Sequence, residues 1–242
     1  MAGFPCSKCK KECLSEFIGT YLLVVVGSAS VIMTSLVPSL SSAQALGIIA
    51  LTFGGVVGLL ILLFGEHSGA VFNPAITLGA FLGRILHLRL FVPYLFFQLF
   101  GGIFAGVTLR EMFLSDATQT ALGSTKLANG VNPILGISLE ATGTFFLTSS
   151  ALIASARIKG RRYQALLVGA TLFFLILLIG PLTGAGLNPA RSIGPSLASS
   201  YFQNLYVYIF GPILGAAIAG LVFRWKRNDE RKSKGLNIVC LC

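Results

Sequence analysis

The sequence predicts an all-α membrane protein with six transmembrane helices and two shorter re-entrant half-helices in an inverted repeat. Three observations support this prediction. The 242 residues are 55% hydrophobic and only 11% charged, whereas a soluble domain is usually about a quarter charged. Six apolar segments are each long enough to cross a bilayer. The tripeptide Asn-Pro-Ala occurs twice, in matching surroundings.

The predicted spans divide the chain into one membrane domain and two tails. Each span can cross about 30 Å of hydrocarbon as a helix, and the six lie near residues 14–36, 44–64, 90–110, 134–156, 163–181 and 204–226. Residues 73–83 and 188–199 lie between spans and are too short to cross, so we expect half-helices there. The membrane domain is residues 14–226, with tails at 1–13 and 227–242.

The membrane domain contains an internal repeat, residues 14–110 and 134–226. Glu16-Phe17-Ile18-Gly19-Thr20 opens the first half, and Glu140-Ala141-Thr142-Gly143-Thr144 opens the second. Because each half has three spans, an odd number, the second half must be inverted across the membrane. The two half-helices then enter from opposite faces and meet near the midplane.

The two Asn-Pro-Ala segments each begin a half-helix. The first is Asn73-Pro74-Ala75 and the second is Asn188-Pro189-Ala190. Asparagine favours the cap position and proline the first helical position. Glycines before each segment permit irregular backbone, which survives at membrane depth only when it is buried in protein or lines a wet cavity.

These features predict a narrow polar path through the membrane. Each half-helix carries roughly half a positive charge at its N-terminus, and the Asn73 and Asn188 amides can donate hydrogen bonds into the lumen. A water that accepts both bonds points its own hydrogens away, so protons and cations are excluded. Backbone carbonyls should form the acceptor ladder: Gly69, Ala70, Val71, Gly184, Ala185 and Gly186.

Arg191 follows the second segment and is the only Lys, Arg, Asp or Glu between Tyr163 and Phe223. A cation at mid-membrane depth costs about 3 kcal/mol on insertion scales. A group elsewhere in the fold must therefore compensate it.

Because the two Asn-Pro-Ala segments occur in matching surroundings, residues 14–226 resemble the aquaporin (major intrinsic protein) family. The resemblance implies a selectivity filter at Phe53, Ile176, Ala185 and Arg191. It also implies that Glu16 and Glu140 accept hydrogen bonds from the re-entrant loops, rather than form a proton relay. Aquaporins form homotetramers with four independent pores, so a homotetramer is expected.

The filter residues resemble those of archaeal-type aquaporins. Strict water channels usually carry His at the position of Ile176, and glycerol channels carry Asp where Ser192 follows Arg191. The resemblance therefore implies a passive channel for water, with hydrogen peroxide, ammonia and slow glycerol as further solutes. The alternatives are a glycerol-permeable aquaglyceroporin and a closed-pore structural or adhesive member. A secondary transporter needs an ionisable or ion-coordinating midplane group, which the loops do not supply.

The net charge of +10 does not indicate a nucleic-acid partner. Fifteen of the eighteen Lys and Arg residues lie in four short segments, at 8–11, 84–89, 157–162 and 224–234. This is the positive-inside pattern, and it predicts that both termini are cytoplasmic. The partners expected are the lipid bilayer, water and small neutral solutes.

No enzyme, cofactor or metal site is predicted. The cysteines are terminal (Cys6, Cys9, Cys13, Cys240 and Cys242), and reduced or acylated thiols suit them better than a zinc site without a fourth ligand. Glu66 and His67 lie near the expected cytoplasmic mouth of the path. We expect these side chains to be solvated or locally paired rather than to act as a proton gate.

Overall fold

The computed structural model describes residues 7–233, and every regular element in that range is helical. Six long helices surround two short ones, as the sequence predicts. The long helices are α1 (Ser7–Ser35), α2 (Ser42–Phe64), α4 (Leu88–Met112), α6 (Pro133–Arg157), α7 (Arg161–Thr183) and α9 (Val207–Ser233). Each contains a segment long and apolar enough to cross a membrane. The all-α membrane fold is therefore confirmed.

The two half-helices are α3 (Pro74–Leu82) and α8 (Pro189–Ser199). At 1.5 Å per residue they are about 14 and 17 Å long, roughly half of a bilayer. Each begins where predicted, because the asparagine side chain before it accepts hydrogen bonds from the first free backbone N–H groups and proline takes the first helical position. A one-turn helix, α5 (Ala117–Thr120), lies in the connection between the halves.

The first and last helices of the chain extend beyond the predicted spans. Helix α1 already includes residues 7–13, which the sequence assigned to the tail, and α9 continues past residue 226 to Ser233. The predicted spans stop within or next to runs of charged residues. The backbone continues as helix because Lys, Arg and Glu are good helix formers outside the hydrocarbon.

Equivalent helices pack in the same way in both halves. Helix α1 packs on α4 as α6 packs on α9, and α2 packs on α7 between the halves. Close contacts between glycines bring each half-helix against a span of the other half of the repeat. A Cβ at Gly106 on α4 would lie 2.2 Å from the Gly194 carbonyl oxygen on α8, and one at Gly220 on α9 would lie 2.4 Å from the Gly79 oxygen on α3. Small residues thus let these backbones meet.

The outside of the helix bundle is apolar. Large hydrophobic side chains remain exposed along the spans, among them Leu51, Leu166, Leu178 and Phe210. Such a surface suits lipid or a neighbouring subunit rather than water. Together with the six spans, it identifies an integral, multi-pass membrane protein.

Candidate functional site

The two re-entrant loops have the same backbone conformation at equivalent positions. In the first loop φ is +85° at Gly69, +53° at Ala70 and +51° at Phe72. In the second loop, three residues have the same pattern: Gly184 (+76°), Ala185 (+46°) and Leu187 (+52°). A non-glycine residue in this left-handed region costs on the order of 1 kcal/mol. Other groups must therefore hold the loops in place.

A buried glutamate holds each loop. In the first half, the N–H groups of Val71 and Phe72 donate to the Glu16 carboxylate at 3.1 and 2.7 Å. In the second half, Gly186 and Leu187 donate to Glu140 at 2.9 and 2.7 Å. Both carboxylates are fully buried, and these bonds satisfy loop donors that water cannot reach.

Four residues that the sequence did not single out support the same loops. The hydroxyl of Tyr94 donates to the Ser68 carbonyl, and that of Tyr208 donates to the Thr183 carbonyl, both at 2.8 Å. Ser68 and Thr183 in turn accept the N–H of the alanine two residues on, both at 3.1 Å. A signal existed: the Ser/Thr-Gly-Ala sequences and the two tyrosines occupy matching places in the repeat.

Gln98 distinguishes the two halves. Its side-chain amide donates to Glu16 at 2.7 Å and to Thr77 at 2.9 Å. A hydroxyl contacts the carboxylate in both halves, from Ser68 in the first and from Thr183 at 2.7 Å in the second. The second half differs because Arg191 interacts electrostatically with Glu140. A neutral amide therefore supports the first glutamate, and a cation lies near the second.

The two Asn-Pro-Ala segments meet, and each asparagine donates a hydrogen bond to the loop of the other half. The Asn73 amide donates to the Leu187 carbonyl at 2.8 Å, and the Asn188 amide donates to the Phe72 carbonyl at 2.9 Å. Each asparagine oxygen meanwhile caps its own half-helix. Because a side-chain amide has two N–H donors, one on each asparagine remains for another partner.

A cavity of about 450 Å³ runs past this junction. Both asparagines line it. So do five of the six residues whose carbonyls are predicted to form the acceptor ladder: Gly69, Ala70, Val71, Ala185 and Gly186. Apolar side chains form much of the rest of the wall, including Val57, Ile61, Leu147 and Leu172. The cavity wall thus combines irregular loop backbone with apolar side chains.

A second cavity, of about 470 Å³, lies beyond the predicted filter. Gly184 lines this cavity, together with residues of the connection near Lys126. Ile176 and Arg191 line both cavities, whereas Phe53 and Ala185 line the first. Ile176 and Arg191 therefore lie where the two cavities meet, and Phe53 and Ala185 lie on the side of the first cavity.

Arg191 is only 4% exposed, and aromatic and polar groups surround it. Its guanidinium carbon lies 5.1 Å from the centre of the Phe53 ring. One terminal nitrogen donates to the Ser28 hydroxyl at 3.4 Å, a contact that the sequence did not predict. A cation over an aromatic face is stabilised by the ring quadrupole, more so when water is excluded.

An ion pair lies where the start of α7 lines the first cavity. The Glu66 carboxylate pairs with the Arg161 guanidinium, and Arg161 lines the cavity. The hydrogen bond from Arg161, with the attraction of its charge, lowers the pKa of Glu66 below its ordinary value of 4.5. The carboxylate is therefore ionised at neutral pH, and the pair is lost only as the pH falls through that lowered value. His67 beside it is exposed.

The sequence predicts no metal site. Among the residues that the structure describes, no group of three His, Cys, Asp or Glu side chains is placed to bind a metal ion. Cys13 is buried on α1. Cys6, Cys240 and Cys242 lie outside the described residues, as does the side chain of Cys9.

Comparison with known proteins agrees with this geometry. The family model described as major intrinsic protein matches residues 5–223. Aquaporin AqpM of Methanothermobacter thermautotrophicus is 32% identical over 241 residues, which cover 90% of this chain and 98% of that protein. Glycerol uptake facilitator protein-like 6 of Lactiplantibacillus plantarum is 32% identical over 227 residues, with coverages of 91% and 100%.

A solved structure has the same fold. The X-ray structure of the aquaglyceroporin from Plasmodium falciparum matches with a TM-score of 0.77, covering 90% of this chain and 94% of that one, at 22% identity. The family expected from the paired Asn-Pro-Ala segments is confirmed, and it is a family of channels rather than enzymes. The chain belongs to the major intrinsic protein family, the aquaporins.

Proposed function

We propose that this protein is a passive channel whose main permeant is water, and that it excludes protons and ions. The observation that carries the proposal is the junction of two cavities at Ile176 and Arg191, next to two asparagines that each retain a free amide donor. Two facing half-helix N-termini add a positive potential there, which repels cations.

Hydrogen peroxide and ammonia are proposed as secondary solutes, and glycerol as a slow one. Ile176 offers no hydrogen bond, so donors at the filter come from Arg191 and acceptors from the loop carbonyls. A polar group that sheds water without finding a partner loses about 1–3 kcal/mol. A triol therefore loses more than a molecule with one or two polar groups, even where the filter is wide enough.

The main alternative is a glycerol channel. A relative named as a glycerol uptake facilitator-like protein, at 32% identity, favours it, whereas the relative named aquaporin AqpM, also at 32% identity, favours water. The closed-pore alternative predicts no flux at all. The three functions therefore predict different water and glycerol fluxes.

Purified protein in liposomes separates them. Stopped-flow light scattering should show rapid water flux, faster hydrogen peroxide than glycerol entry, and a glycerol-to-water ratio well below that of a dedicated glycerol channel. Ile176→His, which adds a donor and narrows the filter, should lower the secondary permeabilities and leave water flux within a few-fold. Ile176→Leu, of equal volume and without a donor, is the matched control. A high glycerol-to-water ratio contradicts the proposal.

The proposed orientation places both termini in the cytoplasm. The four basic segments lie at the N-terminus, after α3, between α6 and α7, and at the end of α9. These four places share one face of an inverted repeat with six spans. The positive-inside pattern assigns that face to the cytoplasm, and therefore makes the cavity lined by Arg161 the cytoplasmic one.

A further inference from the structure

Helix α1 supplies none of the four predicted filter residues, yet two of its consecutive residues contact filter side chains. Gly27 lies against the ring of Phe53, and the Ser28 hydroxyl accepts a hydrogen bond from Arg191. Phe53 and Arg191 also contact each other. Two adjacent residues of α1 thus contact both side chains of the Phe53–Arg191 pair.

The ring of Phe53 occupies space that only a glycine leaves. A Cβ at Gly27 would lie 2.2 Å from Cε1 of that ring and 2.4 Å from Cζ. Heavy atoms of side chains do not approach so closely, so the ring would have to move by about 1 Å or more. Phe53 lines the first cavity and Gly27 does not. A ring pushed away from Gly27 therefore moves toward the cavity.

Ser28 is fixed in the place where it meets Arg191. Its side chain is fully buried. Its carbonyl oxygen is covered by Gly123, where a Cβ would lie only 2.8 Å from it. The segment that contains Gly123 therefore packs closely over α1 at Ser28. With its backbone confined in this way, the Ser28 hydroxyl is a fixed acceptor for the guanidinium.

We propose that Gly27 and Ser28 are positioning residues. They set the width of the filter and the orientation of its arginine without lining the lumen. Gly27 lets the Phe53 ring withdraw from the lumen, and Ser28 holds the Arg191 guanidinium against that ring. The inference rests on the proposed function, because it assigns the source of the filter's width and donor orientation. Neither residue contacts the permeant.

The first test is Gly27→Ala in liposomes. Water flux should fall at least about fivefold because the displaced ring narrows the path, and hydrogen peroxide and glycerol should be slowed more than water. Gly55→Ala on α2 is the matched control, because nothing lies within 4 Å of a Cβ at Gly55. Its water flux should equal that of the unmutated protein.

A double-mutant cycle shows whether Gly27 acts through Phe53. In a Phe53→Ala background the new methyl group meets no ring, so Gly27→Ala should change water flux by less than about twofold. If the methyl group merely disturbed helix packing, it would reduce flux equally in both backgrounds. Equal losses in the two backgrounds, or no loss in the unmutated background, overturn the proposal for Gly27.

Ser28→Ala provides the second test, which does not depend on Gly27→Ala folding. Loss of the hydroxyl frees the guanidinium, so the glycerol-to-water ratio should rise by about threefold or more. Ser15→Ala removes another buried hydroxyl of α1, one that donates to the Lys11 carbonyl of the same helix, and should leave the ratio unchanged. An unchanged ratio in Ser28→Ala overturns the proposal for Ser28. An unmutated protein without water flux would instead refute the proposed function, and this inference with it.

Discussion

At the scale of single residues, the burial of Arg191 poses the hardest energetic problem in the molecule. The sequence indicates that a cation at this depth needs compensation, and the structure supplies it from three directions. The Phe53 ring lies beneath the guanidinium, Ser28 accepts one of its hydrogen bonds, and Glu140 lies near enough to interact with its charge. None of these partners removes the charge, so a positive group remains where the two cavities meet.

Replacing Arg191 by valine should open the filter. The change removes fixed charge, hydrogen-bond donors and volume together, so glycerol permeability should rise severalfold and protons or cations should begin to leak. Glycerol entry by light scattering and proton entry by an enclosed pH dye measure both effects.

The same substitution at Arg110, an exposed arginine on α4, is the control and should leave all permeabilities unchanged. If Arg191→Val also left glycerol, proton and ion permeability unchanged, Arg191 would not belong to the filter.

At the scale of elements, each re-entrant loop is a strained segment held by one glutamate and one tyrosine on neighbouring helices. The start of each half-helix could be predicted because Asn-Pro is a local signal for a cap and a first turn. The matched glutamates could be found because the repeat places them at equivalent positions.

Other contacts of the site have no local signal. Ser28 meets Arg191 across 163 positions of sequence, and the asparagines exchange hydrogen bonds across 114 and 116 positions. No periodicity or spacing reports such pairs, because they depend on how the two halves dock. Gln98 was also missed, since its equivalent place in the second half has no such amide and the repeat therefore gave no signal.

Glu16→Gln should loosen the first loop. Donors converge on this carboxylate from Val71, Phe72 and Gln98, and the Ser68 side chain contacts it as well. A glutamine offers one acceptor oxygen and turns its own N–H₂ toward a donor. At least one buried N–H is then unpaired, at about 1–3 kcal/mol, so we expect water flux to fall and the melting temperature to drop by on the order of 5 °C.

The matched control for this change is Glu12→Gln, one helical turn earlier on α1. Glu12 is only partly buried, so the same substitution should alter neither flux nor melting temperature. Fluorescence-detected melting of the purified protein gives the stability, and stopped-flow swelling gives the flux. A Glu16→Gln protein as stable and as permeable as the Glu12→Gln protein would show that the carboxylate is dispensable for the loop.

At the scale of the whole molecule, one chain contains every part of the proposed path. Both half-helices, both loops and the crossed asparagine bonds belong to a single chain. The two cavities are likewise lined by one chain, and they meet within it. Assembly of several chains would therefore bring together complete pores and would not be needed to create one.

We expect the protein to form a homotetramer in which each subunit conducts independently. Ile176→Trp should block a subunit, because Ile176 lies where the two cavities meet and the larger side chain fills that junction. Co-expressed mixtures of unmutated and Ile176→Trp chains should assemble at random, since the substitution is buried inside each subunit. Water flux per chain should then fall in direct proportion to the unmutated fraction, measured after cross-linking has established four chains per particle. Flux that falls as the fourth power of that fraction would mean that one blocked subunit closes all four, and that the path in a single chain is not sufficient.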